Sequence, residues 1–280
     1  MTSDQDNVTG RDRSERTVTR VRHPLKFRLL CVKRVRQITP TLVRVTLAGD
    51  DLHDFVSASF DDHVKVFFPL PGMDKPPLPT VGPDGVAFPE HHPRPPARDY
   101  TPRRYDRHAG ELDLEFALHD AGPASAWARQ AQPGQWLGVG GPRSSLVIPT
   151  DFDWHLLIGD DTALPAIARR LDELPADTRV ATVIEVADAA SRIDLKTRAQ
   201  LHAVWCYRDC AGPDGGALLR AVRDTYLPDG DGYVWVAAEA SMARAVRQHL
   251  VEERSVPKSR IRAASYWRRG SAAVHETIDG

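Results

Sequence analysis

The chain has 280 residues, 41% of them hydrophobic and 27% charged, with a formal net charge of −1, the balance of a globular protein long enough for two domains. So small a net charge excludes a global pull towards nucleic acid or an anionic membrane, and an anionic ligand must be met by a local cluster of cations. The three cysteines, Cys31, Cys206 and Cys210, form no disulfide framework, no zinc ligand set and no iron–sulfur pattern, so any redox chemistry falls to an organic cofactor.

The opening MTSDQDNVTGRDRSERTVTR is polar where an export signal needs an apolar core, and no run approaches the roughly 18 apolar residues of a spanning helix. A cytoplasmic protein without membrane insertion is therefore expected. Residues 1–24 read as a disordered tail, too poor in apolar groups to offset ordering entropy. FRLLCVKRVRQIT, TLVRVTLAG and HVKVFFP then read as strands. Residues 69–97, dense in proline and glycine, read as a long loop, with His91 and His92 as loop residues. RDYTPRRYD and ELDLEFALH are further strands, GPASAWARQAQ a short helix and PGQWLGVGGP a sixth strand. Six strands with hardly any helix predict a small antiparallel barrel over 25–149.

From residue 150 the grammar changes. HLLIGD, RVATVIEVA, LHAVWCYRD, YVWVAAE and RIRAASYW read as strands, and TALPAIARRLDEL, ALLRAVRDTYL and SMARAVRQHLVEERS as amphipathic helices. This alternation predicts a mostly parallel α/β domain over 150–280, with helices on both faces.

Two segments can carry ligand chemistry. In Arg98-Asp99-Tyr100-Thr101 a strand puts Arg98 and Tyr100 on one face and Asp99 and Thr101 on the other. The guanidinium suits a phosphate and the ring a flat heterocycle, although an exposed strand with a half-buried tyrosine would look the same. Gly122-Pro123-Ala124-Ser125 opens a helix whose free amides suit an anion. The first βα turn of the second half is Gly159-Asp160-Asp161-Thr162, without a Gly-x-Gly-x-x-Gly fingerprint. Two carboxylates there disfavour a phosphate unless they turn away or meet a cation, and Asp161 or Thr162 is expected to cap the helix. Asp188, Ser191 and Arg192 suit either form of the nicotinamide nucleotide, or simply a solvated helix start.

The Arg-x-Tyr-Thr segment resembles the signature of ferredoxin-reductase-like flavoproteins. The ordered set Asp62–Pro69, Arg98–Arg103, His119 with Gly122–Ser125, Gly159–Ala166 and Tyr266–Gly270 resembles the siderophore-interacting proteins, FAD-dependent ferric-siderophore reductases. The resemblance implies that Arg98, Tyr100 and Thr101 hold FAD, with Tyr100 against the isoalloxazine. It implies that Gly122, Ala124 and Ser125 bind the pyrophosphate and that His119 sits close by. NAD(P)H is the expected donor, with ferredoxin as the alternative. Its region comprises Gly159, Asp161, Thr162 and Glu239. The ferric siderophore, an anionic chelate, is expected at Tyr266, Trp267, Arg268 and Arg269, extended from the barrel by Lys65, Arg103 and Arg104. No resident metal site and no catalytic acid, base or nucleophile is expected. The alternatives are a general flavin reductase of the same fold and a siderophore-binding protein without activity.

Overall fold

The computed structural model describes residues 16–118, 122–210, 216–270 and 276–278. Its first half contains β1 (Thr19–Arg22), β2 (Phe27–Thr39), β3 (Leu42–Ala48), β4 (Val64–Phe67), β5 (Thr80–Gly82), β6 (Gly85–Ala87), β7 (Ala97–Tyr100), β8 (Pro102–Asp106), β9 (Glu111–Ala117), α1 (Pro123–Arg129), β10 (Trp136–Gly140) and β11 (Ser144–Val147). Seven of these strands form one antiparallel sheet in the order β7-β4-β10-β2-β3-β9-β8. Its two edge strands, β7 and β8, are consecutive in the chain and separated only by Thr101. The sheet must therefore curl until its edges meet at that residue, so RDYTPRRYD acts as one bent strand of a six-stranded wall. Pro102 has no N–H to give to a ladder, which suits the switch of partner from β4 to β9 on either side of Thr101. Alternating side chains of β2, β3, β4 and β9, among them Leu30, Val45, Val64, Leu112 and Leu114, fill the interior with none of their surface exposed.

Two expectations fail here. Residues 16–24 are not a disordered tail: β1 pairs with β11 from Thr19↔Val147 to Arg22↔Ser144, and Arg16 donates to Asp153 at 2.8 Å. Backbone pairing and an ion pair hold this segment, and neither registers in a count of apolar residues. The proline-rich stretch likewise contains a hairpin, β5–β6, and lies against the barrel. A Cβ on Gly138 would stand 2.2 Å from Leu78, and one on Gly140 2.8 Å from the Phe27 ring. The bare outer face of β10 is what lets these side chains lie down on the wall.

The second half contains β12 (Trp154–Asp160), α2 (Leu164–Glu173), β13 (Arg179–Val186), β14 (Gln200–Tyr207), α3 (Ala217–Asp224), β15 (Gly232–Glu239), α4 (Ala240–Glu252), β16 (Ile261–Trp267) and β17 (Glu276–Thr277). The sheet order is β14-β13-β12-β15-β16-β17, five parallel strands and an antiparallel last one. This is the expected fold class, a curled antiparallel sheet followed by a parallel α/β sheet. The chain reverses its direction of travel between β12 and β15, so the ligand crevice of such a sheet lies at their carboxyl ends.

The two halves are joined by polar contacts around an aromatic centre. Phe60 packs on Trp235 at 5.4 Å between ring centroids. Asp61 accepts from Trp235 Nε1 at 2.8 Å and from Arg262 Nε at 3.1 Å. From α2, Arg169 donates to Ser57 Oγ and to the Pro102 carbonyl at 2.7 and 2.8 Å.

Candidate functional site

Strand β7 is the wall on which the first motif stands. Its register against β4 sets Arg98 opposite Val66 and Tyr100 opposite Val64, both fully buried, so Arg98 and Tyr100 share the inner face. The Tyr100 ring lies on Phe116 at 4.3 Å. Trp127 of α1 packs on the other side of that contact, 5.7 Å from Phe116, so one aromatic chain ties β7 to α1. Burial pushes the Tyr100 phenol well above the usual tyrosine range, which keeps it neutral. Arg98 donates to the Ala97 carbonyl at 2.7 Å and has no carboxylate partner among the described residues. Thr101, at the seam, is buried and hydrogen-bonded to the Tyr266 hydroxyl of β16.

The start of α1 is open. Gly122 has φ +132°, a conformation that a side chain would strain, yet an added Cβ would meet nothing within 4 Å. Glycine is needed there for its backbone, and the space around it is free. Ala124 and Ser125 are buried in the first turn. His119 lies outside the described residues. A half-buried cation with no carboxylate partner among the described residues, a neutral aromatic ring and an open helix start together fit the flavin dinucleotide expected here.

On the outer face of the same wall, Lys65 is paired across the strands with Asp99 at 2.7 Å. The two line a cavity of about 390 Å³ with Phe27, His63, Phe67 and Arg143, among others. His63, Arg143 and the phenylalanines were not read from the sequence as site residues. The available signal was the glycine alternation of β10, which shows that something bulky covers that face.

The carboxyl ends of β12 and β15 are built differently. Asp160 is buried, and its carboxylate accepts four bonds: from Thr162 N and Oγ1 at 2.9 and 2.5 Å, from Trp267 Nε1 at 2.8 Å and from Glu239 N at 3.1 Å. Burial first, and the adjacent Asp161 second, push its pKa up. The capping role expected of Asp161 or Thr162 is not taken up, since α2 starts after Ala163 without a side-chain cap; Asp160, its side chain turned inward, holds the preceding turn through Thr162 instead. Asp161 meets a cation, Arg208, at 2.5 Å, and Arg208 also faces Glu185 at 3.6 Å. Burial raises Glu185 against the pull of that guanidinium. Gly159 serves close packing, since a Cβ there would stand 2.4 Å from Ala163 Cβ and 2.6 Å from the Ala237 carbonyl. Glu239 caps α4 by accepting from Ser241 N at 2.7 Å and from Met242 N. Burial opposes its ionisation, but the Ser241 bonds win and lower its pKa. Asp188 caps the short turn at Ala189–Ser191, and Arg192 lies over the Trp205 ring at 5.3 Å.

The expected substrate cluster does not assemble in one place. Arg103 is turned into the junction with α2, paired with Asp172 at 2.8 Å, its side chain only 15% exposed. Arg104 reaches Asp106. Tyr266 faces Trp235 and Thr101, and burial, with Asp61 nearby, raises its pKa. Both Arg103 and Tyr266 are therefore junction residues: the curl at Thr101 turns Arg103 towards α2, and Tyr266 of β16 meets the same corner from the second sheet. Trp267 and Arg268 are half-buried and Arg269 is exposed, and none of Tyr266 to Arg269 lines the Lys65 cavity.

Residues 31–146 match the siderophore-interacting FAD-binding domain, and residues 152–270 the siderophore-interacting protein domain. An Escherichia coli K12 relative described as an NADPH-dependent ferric-chelate reductase is 39% identical over 251 residues, 89% of this chain and 95% of the relative. The ferric vibriobactin reductase ViuB of Vibrio cholerae is 35% identical over 254 residues, 89% and 93% of the two chains. The crystal structure of a siderophore utilization protein from T. fusca superposes with a TM-score of 0.85 at 41% identity, covering 92% of this chain and 98% of that one. The chain belongs to the siderophore-interacting protein family.

Proposed function

We propose that the protein is an FAD-dependent ferric-siderophore reductase that uses NADPH and releases Fe(II) in the cytoplasm. The flavin half is assigned to residues 25–149 and the donor half to residues 150–280. One observation carries the reading: a cavity with Lys65, Arg143 and three phenylalanines lies on one face of the β4–β7 wall, with Arg98 and Tyr100 on the other. When bound, FAD supplies the exchange between a two-electron nicotinamide donor and a one-electron ferric acceptor.

The protein's own share is binding and orientation. Arg98 would hold a phosphate by charge-assisted bonds, with Gly122, Ala124 and Ser125 beside it at the helix start. Tyr100 would offer a neutral ring, and Thr101 would anchor that corner to Tyr266. Lys65 and Arg143 would attract an anionic chelate, and Phe27, Phe67 and Phe88 would take its flat groups. Trp267 and Arg269 would meet the donor at the strand ends, beside Gly159, Asp161, Thr162 and Glu239. Iron is substrate and needs no protein ligand. Hard oxygen donors hold Fe(II) more weakly than Fe(III), so reduction frees it. NADPH is favoured because the E. coli relative is described as NADPH-dependent.

The test is an anaerobic assay of the FAD-loaded protein with a ferric catecholate and a chromogenic Fe(II) trap, supplied with NADPH, NADH or reduced ferredoxin. NADPH should give Fe(II) fastest, and no Fe(II) with any donor would end the reading. Lys65→Ala should raise KM for an anionic chelate about tenfold, the value of one charge-assisted contact, with kcat little changed.

A further inference from the structure

The cavity on the outer face of the β4–β7 wall is only weakly positive, and one cross-strand pair is the reason. The antiparallel register sets Lys65 opposite Asp99, so both side chains point to the same face. The ammonium meets the carboxylate at 2.7 Å, and the pair is open to solvent, with 49% of the Lys65 side chain and 22% of the Asp99 side chain exposed. An exposed pair of this kind adds little to stability. Its consequence is electrical. Lys65, Asp99 and Arg143 are the formally charged groups among the described lining residues, with His63 beside them. Asp99 cancels Lys65, which leaves Arg143 as the single excess positive charge when His63 is counted as neutral. Arg94 lies over the Phe88 ring at 4.9 Å and is not among the lining residues.

Ferric chelates differ in charge according to their arms. A catecholate arm carries two negative charges, so three of them around Fe(III) make a trianion. A hydroxamate or hydroxypyridinonate arm carries one, so three of them make a neutral complex. A trianion entering a cavity walled partly by Phe27, Phe67 and Phe88 must shed water, and one excess cation leaves most of its charge unmatched. A complex that is neutral or singly negative loses less hydration, and Arg143 is enough to balance it. Any flat groups it carries still meet the phenylalanines.

We infer that Asp99 sets the charge of the substrate, and that the cavity is built for ferric chelates with singly charged arms in preference to tris-catecholates. The inference rests on the reading of this cavity as the chelate site. Asp99 acts without touching the chelate, because its field reaches across the cavity and falls most heavily on the most charged ligand.

The test uses gallium(III), which has the charge of Fe(III) and nearly its radius and is not reduced, so that affinity is measured apart from redox chemistry. The probes are two gallium complexes on one uncharged tripodal scaffold, a trianionic tris-catecholate and a neutral tris-hydroxypyridinonate, both presenting three flat rings. By isothermal titration calorimetry, the FAD-loaded protein should bind the neutral complex about tenfold more tightly. Asp99→Asn should tighten the trianion about tenfold and leave the neutral complex within about twofold. Asp99→Glu keeps the charge and should behave as wild type. Bound flavin and far-ultraviolet circular dichroism should stay unchanged, since Asp99 stands on the opposite face of β7 from Arg98 and Tyr100. Asp99→Ser, made separately, repeats the test if Asp99→Asn fails to fold. A wild type that prefers the trianion, unchanged trianion affinity in Asp99→Asn, an equal gain for both complexes, or Asp99→Glu behaving as Asp99→Asn would each overturn the inference while leaving the chelate site in place. If neither complex binds to any of these proteins, the chelate site falls and the inference with it.

Discussion

The barrel wall at β7 and the first βα turn at β12 both carry polar motifs, yet they treat their charges in opposite ways. Asp160 is saturated, with four donors on two oxygens, and Asp161 is neutralised by Arg208. Among the described residues Arg98 bonds only to a single backbone carbonyl. Charge satisfied from within holds an architecture together, whereas charge left open is available to a ligand. Arg98 and Arg103 stand five residues apart and make the contrast sharpest. One has no carboxylate partner among the described residues, and the other is turned, half-buried, into the junction against Asp172.

The comparison can be broken at its satisfied side first. Asp61→Ala should cost about 3–5 kcal/mol of stability, because it strands the Arg262 guanidinium and the Trp235 N–H at the buried junction. Urea unfolding measures this, and a loss below about 1 kcal/mol would show that the junction does not depend on that carboxylate. On the open side, Arg98→Ala should weaken FAD about 30-fold, roughly 2 kcal/mol for charged hydrogen bonds. Its unfolding midpoint without flavin should stay put. FAD affinity that survives intact would remove Arg98 from the phosphate site.

The smallest effect comes from His155, buried at the start of β12. Burial first, and the nearby Arg170 second, hold its pKa down at about 3 against an ordinary 6.5. The folded state resists the proton that the unfolded chain accepts, so stability is present above pH 6.5 and drains away as pH falls towards 3. Between about pH 7 and 5.5 the wild type should lose about 1 kcal/mol that a His155→Gln variant does not lose. Parallel curves for the two proteins across that range would refute the assignment.

Much of this molecule was legible along the chain, for reasons of period and composition. The alternation in ELDLEFA placed Leu112, Leu114 and Phe116 on one face, and that face is the barrel core. The change of pattern near residue 150 marked where strands begin to alternate with helices, because a parallel sheet needs a crossover for each strand. Arg98 and Tyr100 could be assigned to one face because the pleat has period two.

The tertiary structure alone decided which of the singled-out residues are available. The bend at Thr101 turns Arg103 into the junction, where Tyr266 meets that corner from β16, and no local pattern encodes where two sheet edges will meet. Glycines 138 and 140 acquire meaning only once Leu78 and Phe27, distant in sequence, lie over them. The partners of Asp160 come from residues 162, 239 and 267, brought together by the parallel sheet. Period and propensity are properties of neighbours in sequence, and they predict the elements. Whether a charge is spent or free depends on neighbours in space, and only the folded chain supplies those.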